Sequence, residues 1–120
     1  MKTIIKLEGL MDGLNGNEGL IRQHWTKRKK KQAKYNLLIK AQAKNKHLGR
    51  VSVTYKTYTT RFKDWDNYGA SFKILGDALV HNKIIVDDSP KYIVPFIPIQ
   101  EKVKTKKEQR IELVIEDILN

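Results

Sequence analysis

The chain has no cysteine, so neither a disulfide framework nor a thiolate metal site is open to it. No apolar run approaches the roughly 20 residues needed to span a bilayer, and the N-terminal stretch lacks the apolar core of a signal peptide. Histidine is sparse: His24, His47 and His81 are scattered without ligand spacing, and each reads as a surface or capping residue. No Walker loop, dinucleotide fingerprint or Ser/His/Asp arrangement is present. Repeats, low-complexity tracts and a second domain are also missing, so residues 1–120 read as one domain with one modest core.

Acid is the scarcest charge. Thirteen Asp and Glu stand against 24 Lys and Arg, a net charge of +11, which favours nucleic acid or an anionic membrane surface as partner, or simply makes a solvated basic surface. The layout is polarised. From Gly19 to Lys63 there are fourteen Lys and Arg and no acid, yet five of the thirteen acids fall between Arg61 and Ser89. Clustered carboxylates repel unless a cation compensates them. The expectation from composition is a soluble protein of the cytoplasm.

In chain order, residues 3–8 (TIIKLE) read as a first strand. The loop from Gly9 to Gly19 holds four of the seven glycines; it is either a plain connector or a flexible loop closing over a backbone phosphate. Leu20 to Lys46, without Pro or Gly, reads as helix ended by Gly49, with Ala33, Leu37, Leu38 and Ala41 as its apolar stripe. Lys27, Arg28, Lys29, Lys30 and Lys31 lie at its start or in a loop before it. Five adjacent cations do not serve helix stability; a phosphate backbone would relieve their repulsion. Trp25 is either a core aromatic or a stacking platform for an exposed base.

Arg50 to Thr60 alternates as a strand, Val51, Val53 and Tyr55 pointing one way. If the backbone stays extended past it, Asp64 and Asp66 share a side. Asp66 or Asn67 can cap a helix to about His81, with Phe72, Leu75 and Leu79 buried. After a turn at Asn82-Lys83, Ile84 to Val86 reads as a short central strand delivering Asp87 and Asp88 to the sheet rim. Lys91 to Ile99, with two prolines, reads as an edge strand or a bend, pairing as a hairpin with Arg110 to Glu116. This order predicts an α/β (α+β) domain, a mixed sheet of about five strands packed with two main helices.

Asp64, Asp66 and one of Asp87 or Asp88 are oxygen ligands of the kind Mg²⁺ or Mn²⁺ takes while also touching a phosphate. A calcium loop starting at Asp64 fails, because Tyr68 and Leu75 stand where ligands belong. Taken singly, Asp-Trp-Asp-Asn caps a helix and Asp-Asp-Ser-Pro makes a turn; their coincidence after a basic half-chain points to a metal. Lys73 and Asp77, four apart, form either a surface ion pair or leave Lys73 to lean toward a phosphate.

Asp64-Trp65-Asp66-Asn67, then Lys73, Asp77-Ala78-Leu79 and, ten residues from Asp77, Asp87-Asp88, together resemble the RusA family of Holliday junction resolvases. The likeness runs loosely over nearly the whole chain. It implies that Asp64, Asp66 and Asp88 are the essential metal-site set, that Lys73 is a catalytic lysine, and that Lys63 is a basic residue tied to activity. Asp87 would be an acceptor behind the ligands or a ligand to a second ion, and Arg61 with Lys27 to Lys31 would hold DNA backbone. The implied activity is Mg²⁺- or Mn²⁺-dependent nicking of two opposed strands of a four-way DNA junction by a homodimer, leaving 5′-phosphate and 3′-hydroxyl ends. Lys73 stands seven rather than four residues beyond Asp66, which on a helix still faces the same way. The family's N-terminal loop proline is absent, so no role passes to that loop. The rival expectations are a non-catalytic nucleic-acid-binding module and a nuclease of the same fold acting on flaps or branched RNA.

Overall fold

Alternating burial, carried mostly by Ile, Leu, Val and Tyr with Thr3, Thr57 and Thr59 among the inward residues, builds the sheet. In β1 (Lys2–Glu8), β2 (Val51–Thr59) and β4 (Arg110–Asp117), every second side chain is buried, so each strand turns one face to the core. β3 (Ile93–Lys102) completes the set, giving the order β1-β4-β2-β3. β4 runs antiparallel to both β1 and β2, and β3 runs parallel to β2, so the sheet is mixed. This computed structural model describes residues 1–11 and 25–118, without the Trp25 side chain. His24, the ring of Trp25, the start of the expected helix at 20–24 and positions 12–19 of the glycine-rich loop lie outside the described residues.

Helices α1 (Trp25–Gln42), α2 (Trp65–Ser71) and α3 (Lys73–His81) supply the rest, an α+β arrangement as expected. Phe72, Leu75 and Leu79 are buried as their spacing predicts. α1 is seated on α3 and β1 by polar side chains. The Gln32 amide donates to the Ile74 carbonyl at 3.0 Å, and the Asn82 amide donates to the Asn36 carbonyl at 2.9 Å. At its other end the Gln42 side chain brackets Lys6, accepting from its N–H and donating to its carbonyl.

Several expectations are corrected. Ile84 to Val86 is not a strand, so the sheet has four strands rather than five. α3 ends in a Schellman turn: Lys83 takes φ 59, and the Ile84 N–H reaches back to the Leu79 carbonyl. Ile84 and Ile85 plug the core from that turn. The hairpin is also absent: β4 lies between β1 and β2, while β3, carrying Pro95 and Pro98, occupies the rim. A 3₁₀ turn at Lys106–Glu108, closed by a Thr105/Glu108 capping box, carries the chain between them. The stripe Ala33, Leu37, Leu38 and Ala41 faces solvent, and Tyr35 with Ile39 faces the core instead. α1 stops at Gln42, well before Gly49. His47, expected at the surface, is buried, hydrogen-bonded to Thr3 Oγ1 at 2.8 Å and Asp117 Oδ1 at 2.7 Å. It ties the loop after α1 to β1 and β4.

Candidate functional site

The segment after β2 is held on three sides. Thr59 Oγ1 donates to the Arg61 carbonyl, Gln109 Oε1 accepts from the Thr60 N–H, and the Gln100 amide brackets both the N–H and the carbonyl of Lys63. These two glutamines were not singled out from the sequence, and only their far-off backbone partners give them meaning. Arg61 is exposed and Lys63 half-buried.

The chain does not stay extended past this clamp, so the period-two argument for Asp64 and Asp66 fails. Asp64 occupies the N-cap of α2 with φ −60 and ψ 151, and Asp66 is already in the first helical turn. The Asp64 carboxylate makes no capping hydrogen bond. Asp66 Oδ1 accepts from the Asn67 N–H at 2.9 Å. α2 is anchored one turn later by Tyr68, whose ring stacks on Tyr55 with centroids 4.6 Å apart. Its hydroxyl lies 2.8 Å from Tyr55 O, Thr57 Oγ1 and Ile99 O. Burial pushes the Tyr68 phenol well above its ordinary range, so the ring is a neutral structural post rather than an acid or base.

Phe72 joins α2 to α3 with φ −75 and ψ −16, still right-handed helical, so the helical stripe passes through the junction. Asp66, Gly69, Lys73 and Gly76, three, seven and ten residues along, fall on that one stripe. Asp88 comes to the same place from the other direction. A methyl group at Gly76 would stand 3.3 Å from Asp88 Oδ2 and 3.0 Å from Phe72 Cε2, so glycine is what lets the carboxylate lie against α3. A cleft of about 380 Å³ opens here, lined by Gly69, Phe72, Asp88, Pro90, Ile93 and Phe96. Gly76 is a further functional candidate; its only sign in the sequence is a glycine inside a helical pattern.

The ionic surroundings are one-sided. Among the described residues, no Lys or Arg forms an ion pair with Asp64, Asp66, Asp87 or Asp88. Lys73 instead pairs with Asp77 at 3.4 Å, an exposed i,i+4 pair worth about 0.3–0.5 kcal/mol and readily exchanged. Lys27, Arg28, Lys29 and Lys30 are exposed and Lys31 half-buried on the first turns of α1. That is the end of a helix where the macrodipole is positive and no acid offsets it. The Gln32 bond to Ile74 sets the end of this run toward the start of α3.

Carboxylate oxygens match the hard donors that Mg²⁺ and Mn²⁺ take, so the chemistry of these residues fits such an ion. Among the described residues no three carboxylate or imidazole groups stand together as a closed set. The structure brings Asp88 to the helical stripe that Asp66 begins; it does not gather Asp64, Asp66 and Asp88 around one point. Comparison with models of known protein families and with curated protein sequences returns no match.

Proposed function

We propose that this chain is a Mg²⁺- or Mn²⁺-dependent, structure-selective DNA endonuclease that acts as a homodimer to resolve four-way junctions by paired symmetric nicks. The observation that carries this reading is Asp88 lying against Gly76 at a cleft that Gly69 also lines, on the helical stripe that Asp66 begins, with no ion pair to Asp64, Asp66 or Asp88 among the described residues, in a chain of net charge +11. Asp64, Asp66 and Asp88 would hold the ion once their side chains, which do not meet at one point in this structure, close on it, with Asp87 as an acceptor behind them or a ligand to a second ion. When bound, the ion would supply an acidified water and offset charge growing on the scissile phosphate. Lys73 exchanges Asp77 for the phosphate or the departing oxygen. Lys27 to Lys31, Arg61 and Lys63 grip the backbone and position the branch without reading bases.

The test is Asp66→Asn on radiolabelled four-way junction, flap and linear duplex, each with Mg²⁺ and with EDTA. Junction affinity is expected to stay within about threefold while nicking drops to about one-thousandth or less, a loss that EDTA reproduces in the unaltered chain. Undiminished nicking by the variant overturns the proposal. Binding without any cutting would leave a nucleic-acid-binding module, and preference for flaps or branched RNA a nuclease of different substrate.

A further inference from the structure

The rings of Tyr35, Tyr55, Tyr68 and Phe72 are buried, whereas Phe62 and Trp65 are 54% and 61% exposed. A single exposed ring is ordinary. Two within four residues, on either side of Asp64 and interleaved with Arg61 and Lys63, form a pattern that water does not favour and a flat ligand does. Their backbone is fixed: Thr59 and Gln100 hold Arg61 and Lys63, so the rings are presented by a braced segment. Trp65 touches Tyr68 edge to face, with centroids 5.8 Å apart and planes at 79°, which anchors one side of the indole and leaves the rest open. Lys102 Nζ sits 5.3 Å from the centre of the Phe62 ring. Aromatic faces with cations at their margins match a nucleotide, which offers a flat base and an anionic phosphate together.

We infer that Phe62 and Trp65 form a stacking site for unpaired nucleobases beside the carboxylates of Asp64 and Asp66. This rests on the endonuclease reading and sharpens it. Stacked bases inside a linear duplex cannot reach such a site, whereas bases at a branch point or in a single strand can. Selectivity for branched substrate then comes from the rings, and affinity for backbone from the cations.

The experiment uses the full chain in EDTA, with two fluorescein-labelled probes, a short thymidine oligonucleotide and a linear duplex, followed by anisotropy. Trp65→Ala and Phe62→Ala are each expected to weaken binding of the single strand about tenfold and of the duplex less than about twofold, with Trp65→Phe recovering most of the loss. In a Trp25→Phe background Trp65 is the sole tryptophan, and its emission should be quenched when the thymidine oligonucleotide binds. The stacking site is overturned if Trp65 emission is unchanged while the oligonucleotide binds, or if both probes weaken equally. Equal weakening is what a folding defect or lost charge would give. If the unaltered chain binds neither probe, the endonuclease reading and this site fall together; if it binds and cuts junctions with Trp65 silent, only the stacking site falls.

Discussion

Gly76 shows how much can depend on one missing methyl group. Glycine inside a helix costs about 1 kcal/mol relative to alanine, so Gly76→Ala gains propensity while crowding Phe72 and the Asp88 carboxylate. The melting temperature should therefore move by only a few degrees, while junction nicking falls by about tenfold or more as Asp88 is pushed from the stripe; calorimetry and the nicking assay on the same preparation check both. Elsewhere, the His47 hydrogen bond holds the Asp117 carboxyl below its ordinary value of 3.8. A carboxyl depressed in the folded state contributes its full stability above the unfolded value and loses it as pH falls through the folded one. Asp117→Asn should thus melt below the unaltered chain at pH 7, with the gap closing as the pH falls below the ordinary 3.8 and through the lowered folded-state value. Nothing in the sequence around His47 announces this, because its partners Thr3 and Asp117 lie 44 and 70 residues away.

Elements were legible in proportion to how simply they repeat. The alternation of β1, β2 and β4 is a period-two code written mostly in Ile, Val, Leu and Tyr, with Thr3, Thr57 and Thr59 sharing the inward face. α1 carries two competing stripes of helical spacing. The apolar one, Ala33-Leu37-Ala41, yields to Tyr35-Ile39, and the side chains of Gln32, Gln42 and, from the end of α3, Asn82 make part-buried or bracketing bonds that no hydrophobicity count can register. Ile39→Ala should cost about 2–5 kcal/mol in denaturant unfolding, and Leu37→Ala should stay within about 0.5 kcal/mol. Ile84-Ile85-Val86 misleads for a related reason: β-branched residues suit a strand, but the left-handed turn at Lys83 decides otherwise. In the candidate site, charge clustering puts forward Asp64, Asp66 and one of Asp87 or Asp88, and the family resemblance singles out Asp88 and Lys73; the stripe through Phe72, the clearance at Gly76 and the clamps from Gln100 and Gln109 depend on tertiary approach.

For the molecule as a whole, the useful quantity is where the surplus of positive charge is mounted. No helix among the described residues is long and apolar enough to cross a membrane, and the end of the basic run is set toward the start of α3 through Gln32. Replacing Lys27 to Lys31 by glutamine should flatten the plot of log affinity against log salt by about 0.9 for each phosphate that the chain no longer neutralises, with little change in the ratio of junction to duplex binding. Titration by anisotropy from low to moderate salt reads this, and an unchanged slope would mean that the run lies off the DNA path.

The way Gln42 closes on Lys6 has a consequence for how copies of the chain can meet. The outward N–H and carbonyl of β1 at that point are already occupied, and on the far margin Pro95 and Pro98 leave β3 with gaps in its donors. A neighbouring molecule therefore meets an interrupted row of backbone partners at each border, which counts against fibril-like growth. These interruptions favour a symmetric pairing made through side chains, on helices or on the sheet's open face, over one that zips two backbones into one longer sheet.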